Sequence, residues 1–114
     1  MEDCIFCQII AGKIPAAVVY EDDKVFAFED IKPAAPVHIL LIPRRHIATF
    51  NDLEPHDVEL MGHMALVLKK LAADHGLAEK GYRILINCGS EGGQQVYHLH
   101  YHLLGGRPLG RLLP

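Results

Sequence analysis

The nine residues from Val96 to Leu104, VYHLHYHLL, contain three histidines at alternate positions. Strict alternation is typical of a β-strand, in which every second side chain points to the same face of the sheet. We therefore expect His98, His100 and His102 to share one face at intervals of about 6.6–7 Å. The apolar side chains between them predict that the other face packs on the core and that the histidines line a cleft: Leu99, Tyr101 and Leu103.

A glycine-rich stretch, NCGSEGGQQ at residues 87–95, leads directly into this strand. Glycines allow backbone N–H groups to approach an anion closely, so the amides of residues 93–95 are expected near a bound phosphate. By itself such a stretch is usually an ordinary turn. Its position before three aligned histidines favours an anion site.

The rest of the chain predicts an α+β domain in which one long helix packs on a five-stranded antiparallel sheet. A short helix is expected at the N-terminus, and apolar residues every three or four positions predict the long helix at 55–75. The other strands are predicted at 17–20, 25–28, 37–42 and 82–88, and the tail 105–114 is expected to be irregular. An unprotected sheet edge favours extension of the sheet across a homodimer.

The composition limits the classes of function. The 114 residues are expected to form one domain, 1–114, with a net charge of −3 that disfavours binding to nucleic acid or to anionic membranes. No apolar run approaches the length of a membrane span, and the acidic N-terminus does not resemble a secretory signal. Together with three cysteines, an odd number, these features predict a cytoplasmic protein.

Three aligned imidazoles allow three interpretations. They can bind a metal ion, since histidine is the commonest metal ligand. They can carry out phosphoryl chemistry, in which one neutral imidazole attacks phosphorus while a protonated neighbour stabilises the developing charge. They can also be half-exposed residues without a role.

The segment from His98 to Leu104 is similar to the motif of the histidine triad (HIT) superfamily. The resemblance extends over nearly the whole chain, through segments such as DIKPAAPVH at 30–38, IPRRH at 42–46 and GGQQVY at 92–97. It is strongest to the Hint branch, the purine nucleoside phosphoramidases, and includes the ending LLGGRPLG at 103–110.

The resemblance implies hydrolysis of P–N bonds in purine nucleoside 5′-phosphoramidates through a covalent nucleotidyl-histidine. His100 would be the nucleophile, and His102 would contact the phosphate and the leaving group. His98 and His38 would form the hydrogen-bonded support that sets the tautomer of His100. No cofactor is implied for catalysis.

The same resemblance places the purine nucleotide substrate. Asp30 would accept hydrogen bonds from the ribose, although a turn-forming role is an alternative. The groups near the phosphate would be Asn87, Gly93, Gln94 and Gln95, the last standing where many relatives have serine. The purine slot would be lined by apolar side chains, each of which could equally be ordinary core: Ile5, Phe6, Ile9, Phe28 and Ile31. Because the slot is apolar and shows no side chain that reads a base edge, its sequence does not indicate whether adenine or guanine is preferred.

Cys4 and Cys7 form a C-x-x-C pair, whose spacing suits metal binding. Tetrahedral zinc needs two further ligands. Resemblance to bacterial HIT proteins that share the pair implies a structural Zn²⁺ held by Cys4, Cys7, His46 and His98. The alternative is a pair of reduced cysteines on a short helix. If zinc takes His98, His38 and main-chain carbonyls would be left to orient His100.

Other functions stay open at this point. A dinucleoside polyphosphate hydrolase or a nucleotidyl transferase of the same superfamily is one alternative, and a nucleotide-binding regulatory module with little turnover is another. A purely structural zinc module would leave Asp30 and Asn87 without a role.

Overall fold

The computed structural model describes residues 3–111, so the ends of the predicted domain and tail, residues 1–2 and 112–114, lie outside the described residues. Its strands are β1 (Val18–Glu21), β2 (Val25–Glu29), β3 (Val37–Pro43), β4 (Arg83–Ile86) and β5 (Tyr101–Gly105). They form one sheet in the order β1-β2-β3-β5-β4. Every neighbouring pair is antiparallel, as the short connections predict.

The central strands β2 and β3 are buried on both faces, and their side chains alternate between two apolar clusters. One cluster contains Val25, Ala27, Ile39 and Leu41. The other contains the residues between them, Phe26, Phe28, Leu40 and Ile42. Because successive strand residues point to opposite faces, each cluster belongs to one face of the sheet.

The long helix α2 (Val58–Asp74) covers the first face. Its buried residues recur at helical spacing and pack into the first cluster: Met64, Val67, Leu68, Leu71 and Ala72. The first predicted turn of this helix is instead a 3-10 helix, Pro55–Asp57, and a second 3-10 helix precedes it at Phe50–Asp52. We call the side of the sheet under α2 the helix face.

The short helix α1 (Ile5–Ile10) lies on the opposite side, where Phe6 packs against the second cluster. Cys4 precedes the helix, and its Sγ accepts a hydrogen bond from the Cys7 N–H at 3.4 Å. Since β3 pairs with β5 such that Leu40 lies opposite His102, the His102 side chain of β5 faces α1 rather than α2. We call this side the imidazole face.

The largest difference from the sequence prediction concerns the last strand, which begins at Tyr101 and not at Val96. Residues 96–98 form a bend, and the Leu99 N–H donates to the carbonyl of Ile47 at 2.6 Å. That main-chain hydrogen bond directs the segment away from β4, so the two do not pair there. β4 is itself shorter than predicted. His98 and His100 therefore stand just outside the regular sheet.

Within residues 3–111, no helix is long and apolar enough to cross a lipid bilayer.

Candidate active site

His100 is buried at the end of the segment that precedes β5. Its Nδ1 lies 2.7 Å from the main-chain carbonyl of His98. A carbonyl oxygen can only accept, so the neutral imidazole carries its proton on Nδ1 and keeps a lone pair on Nε2. The edge of the Phe6 ring packs against the imidazole, with 5.1 Å between ring centroids. This arrangement presents one unprotonated ring nitrogen for attack.

His38 and His102 form a second imidazole pair across β3 and β5. The Ala34 N–H donates to His38 Nδ1 at 3.0 Å, so the proton of neutral His38 is on Nε2. That nitrogen lies 2.9 Å from His102 Nδ1, which therefore accepts and leaves His102 with its proton on Nε2. The carboxylate of Asp30 lies 3.5 Å from His38 Nε2. His102 can thus donate a hydrogen bond while remaining neutral.

Burial holds these imidazoles in the neutral form. Removal from water lowers the pKa of His98 to about 4 and the pKa of His102 to about 4. The same cause lowers the pKa of His100 and of His38. A neutral His100 fits the requirement of a nucleophile.

The structure corrects the predicted support of His100. The sequence prediction gave that role to the ring of His98 and to His38. The group that orients His100 is instead the main-chain carbonyl of His98, and His38 orients His102. A strand would have placed the rings of His98 and His100 side by side, but the bend before β5 turns the carbonyl of His98 toward the ring of His100.

The glycine-rich turn is braced from within. The Asn87 side chain donates to the carbonyl of Gly92 at 2.7 Å. A Cβ on Gly92 would lie 2.3 Å from the Cys88 carbonyl oxygen, and Gly93 has φ of +81°. Both positions therefore require glycine.

Gln94 was predicted to lie near the phosphate, and its side chain is held inside the protein. Its side chain is buried and already hydrogen-bonded at both ends, to the Gly89 N–H and to the carbonyls of Ala48 and Val96. The main-chain N–H groups of Gly93 and Gln94 also donate hydrogen bonds to carbonyls inside the turn. The remaining predicted residue, Gln95, has an exposed side chain that lines a cavity of about 380 Å³.

The residues predicted to bind the nucleoside fall into two groups. Phe6 and Phe28 are buried in the apolar cluster of the imidazole face, and Ile9 packs at its margin. Ile5 is half exposed and lines the cavity beside Gln95, while Ile31 is 93% exposed.

The two carboxylate oxygens of Asp30 have different partners. One carboxylate oxygen accepts the Lys32 N–H at 2.8 Å, which is the turn-forming role considered from the sequence. The other lies beside His38.

Cys4, Cys7, His46 and His98 converge in a separate cluster, with one ligand atom from each lying within 4.8 Å of all the others. His98 Nδ1 is 3.4 Å from Cys4 Sγ and 3.5 Å from Cys7 Sγ, and His46 Nδ1 is 3.3 Å from Cys7 Sγ. Zinc bonds of standard length place sulfur and nitrogen ligands about 3.5 Å apart in a tetrahedron. Because His98 Nε2–H donates to the carbonyl of Pro43 at 2.8 Å, its Nδ1 lone pair points at the thiols.

Asp30, His38 and His102 also lie close enough for a metal ion. Their hydrogen bonds argue against one, because His38 Nε2 carries the proton that it donates to His102 and has no lone pair to offer.

Two features of the structure are not marked by any side-chain pattern. The main-chain carbonyls of His98 and Pro43 fix the imidazole tautomers; main-chain carbonyls are an expected support for His100 when zinc holds His98, but the sequence does not indicate which residues supply them. His63 of α2 lies 2.6 Å from Asp22, whose carboxylate also accepts the Tyr20 hydroxyl and two amides of the β1–β2 turn. Despite the opposing effect of partial burial, these hydrogen bonds hold the pKa of Asp22 well below its ordinary value.

A histidine triad that leads into an antiparallel strand and is supported by a histidine on the neighbouring strand defines a class of protein. The chain belongs to the HIT family: the HIT domain matches residues 11–109.

Among curated proteins it is 51% identical to the purine nucleoside phosphoramidase of Escherichia coli (strain K12) over 112 residues, which cover 98% of this chain and 94% of that protein. An uncharacterized HIT-like protein of Synechococcus elongatus is 55% identical over 95% of this chain and 94% of its own length. Among solved structures, a HIT family hydrolase from Legionella pneumophila superposes with a TM-score of 0.92 at 53% identity, covering 94% of this chain and 96% of that one.

Proposed function

We propose that this protein is a nucleotide hydrolase that cleaves the P–N bond of purine nucleoside 5′-phosphoramidates. The observation that carries the proposal is the His100 imidazole, which is neutral and holds its free lone pair on Nε2 because its Nδ1–H is bound to the His98 carbonyl. The E. coli relative at 51% identity, named a purine nucleoside phosphoramidase, supports this choice of substrate class.

The reaction proceeds in two steps. His100 Nε2 attacks phosphorus, the P–N bond breaks, and the amine leaves with a proton taken from water. Water then attacks the nucleotidyl-imidazole, the bond from phosphorus to Nε2 breaks, and the nucleoside monophosphate departs. The attacking water releases its proton to the solvent, which restores the proton taken in the first step. Two easier displacements replace one difficult one, and neither needs a cofactor.

The neighbouring groups bind and orient the substrate. His102 donates from Nε2 to the phosphoryl oxygens or the leaving group, and His38 keeps its tautomer fixed. Asp30 accepts from the ribose hydroxyls, and Asn87, Gly93 and Gln95 border the phosphate. Ile5, Ile9 and Ile31 supply the apolar contacts to the purine, and Phe6 and Phe28 form the floor beneath them.

The test compares hydrolysis of a fluorogenic adenosine 5′-phosphoramidate by the wild type, by His100→Ala and by His75→Ala, an exposed histidine at the end of α2. We expect loss of turnover by at least about a thousandfold in His100→Ala alone, as is usual when a nucleophile is removed. AMP binding without turnover in the wild type would overturn the enzyme in favour of a nucleotide-sensing module. Equal turnover in all three would overturn His100 as the nucleophile.

We further propose that Cys4, Cys7, His46 and His98 hold a structural Zn²⁺. The sulfur–nitrogen separations and the direction of the His98 lone pair fit a tetrahedral site. The ion would tie α1 to the sheet and take no part in bond breaking. Thiolate ligands are maintained in a reducing compartment, which agrees with a cytoplasmic location. Metal analysis is expected to give one zinc per chain, and a zinc-free protein with unchanged thermal stability would contradict the site.

A homodimer through β4 is the third proposal. Among residues 3–111, β4 is an edge strand that pairs with β5 alone, and it leaves Ile84 about 42% exposed next to the exposed Tyr82. Unpaired strand groups and apolar side chains together favour pairing with a second copy. Light scattering is expected to give the mass of two chains for the wild type and of one for Ile84→Lys. A monomeric wild type would contradict this arrangement.

A further inference from the structure

His100 lies just outside the hydrogen-bonded ladder of the sheet. β5 begins at Tyr101, so the ladder of hydrogen bonds that fixes a strand starts one residue after His100. The segment before it is held by the hydrogen bond from the Leu99 N–H to the Ile47 carbonyl, by the Gln94 side chain that donates to the Val96 carbonyl, by the buried Leu99 side chain and by the contacts of the His98 side chain. Of these, His98 is the residue whose own carbonyl bonds His100, so the orientation of His100 depends on what fixes His98.

His98 is completely buried and held at both edges of its ring. Its Nε2–H donates to Pro43 at the end of β3, and its Nδ1 faces the Sγ atoms of Cys4 and Cys7. Its main-chain carbonyl accepts the Nδ1–H of His100. One residue thus connects the cysteine–histidine cluster to the nucleophile.

Phe6 provides a second connection. It lies between Cys4 and Cys7 on α1, and its ring packs edge-on against both imidazoles, with centroid separations of 5.9 Å from His98 and 5.1 Å from His100. Whatever holds the two cysteines against His98 also holds the Phe6 ring against His100.

We propose that Cys4, Cys7 and His46, when they hold a metal ion together with His98, act as positioning residues for His100. Occupancy of the cluster then controls nucleotidyl transfer as well as stability. This inference rests on the proposed phosphoramidase function. Without the ion, the thiol contacts to His98 at 3.4–3.5 Å are weak hydrogen bonds, and the ring and carbonyl of His98 are less constrained. Small misplacements of a reacting group can cost as much as a hundredfold in rate.

The experiment compares the zinc-loaded protein, the chelator-treated protein and the variant His46→Ala, with His56→Ala as the control. His56 is an exposed histidine outside the cluster, and its Nε2 lies 3.7 Å from the Asp57 carboxylate. Long-range ¹H–¹⁵N spectra report the tautomer of each imidazole without any substrate. In the loaded wild type we expect a single Nδ1–H form of His100. In the chelated protein and in His46→Ala we expect a mixture of tautomers.

Kinetics on the same samples separate positioning from binding. We expect kcat to fall about tenfold or more when the cluster is emptied, with little change in KM, as occurs when a partner that orients a site is lost. Circular dichroism, recorded well below the unfolding midpoint, shows whether the samples compared are folded. A folded, metal-free protein with an unchanged His100 spectrum and unchanged kcat would overturn the proposal.

Two results keep this inference distinct from the proposed function. If the loaded wild type does not hydrolyse the phosphoramidate, the proposed function fails, while the His100 tautomers still decide the coupling. If metal removal unfolds the chain, the experiment uses Co²⁺-loaded protein in place of the metal-free protein. Coupling between two sites is reciprocal, so a nucleotide bound at the active site must also affect the metal site. AMP binding must then shift the cobalt–thiolate absorption, and an unchanged spectrum at saturating AMP overturns the coupling.

Discussion

The two faces of the sheet are built from the same strands but from different chemistry. On the helix face, aliphatic side chains of β2, β3 and β5 meet the buried residues of α2. On the imidazole face, aromatic rings pack with histidines and cysteines beneath α1. Alternation along the strands separates the side chains of the two faces. The helix face holds the larger apolar cluster, and the imidazole face carries the proposed chemistry.

The cost of burying polar groups explains how the imidazole face is held together. A buried nitrogen without a partner costs about 1–3 kcal/mol, and four buried or half-buried imidazoles would be prohibitive if unpaired. Among the described residues, every fully buried side-chain nitrogen and oxygen has a hydrogen-bond partner. Those partners are mostly main-chain groups, which also fix the tautomers that catalysis requires.

The largest effect is expected on the helix face. Leu71 is buried in α2, whereas Leu66 of the same helix is 68% exposed. Leu71→Ala should lower the free energy of unfolding by about 2–5 kcal/mol, and Leu66→Ala by a small fraction of that. Both should hydrolyse the phosphoramidate normally per folded molecule. Urea unfolding and kcat measured at low temperature check this, and a catalytic defect in folded Leu71→Ala would break the separation of the faces.

A smaller effect is expected from acid, and it belongs to the imidazole face. Burial lowers the pKa of His102 to about 4, below the value of 6.5 for an exposed imidazole, and lowers the pKa of His38. The unfolded chain therefore takes up protons at higher pH than the folded one. The stability contributed by neutral His102 is complete above about pH 6.5 and is lost as the pH falls through about 4.

The variant His102→Asn isolates this contribution. Its free energy of unfolding should fall less steeply between about pH 7 and pH 4 than that of the wild type, whatever its stability at neutral pH. The free energy of unfolding is measured by urea titration at a series of pH values. An equal dependence on pH in the variant and the wild type would show that His102 is not buried as a neutral group.

The smallest effect concerns the bond that ties α2 to the β1–β2 turn. His63→Ala removes the 2.6 Å contact to Asp22 but leaves the other hydrogen bonds of that carboxylate. We expect a loss of about 1 kcal/mol in the free energy of unfolding and no change in kcat. A fall in kcat would mean that residues of the helix face also influence the active site.

The sequence predicts the parts of this molecule that periodicity determines. The apolar run at 37–42 predicts β3, the repeat of apolar residues every three or four positions at 55–75 predicts α2, and the motif around His100 identifies the family. The bend at 96–98 was missed because it depends on a main-chain bond to Ile47, which is far away in sequence. The hydrogen bonds that hold the Gln94 side chain inside the turn could not be predicted for a similar reason, since its partners include the Ala48 carbonyl.

The central claim is that His100 is the nucleophile of the imidazole face. The most direct test is to mix the wild type with excess phosphoramidate, quench in denaturant within the first turnovers, and locate the added mass by peptide mass spectrometry. We predict a nucleoside monophosphate attached to the peptide that contains residues 98–102, with fragmentation placing it on His100. Turnover with no adduct on any histidine, or with the adduct on His102, would contradict the claim.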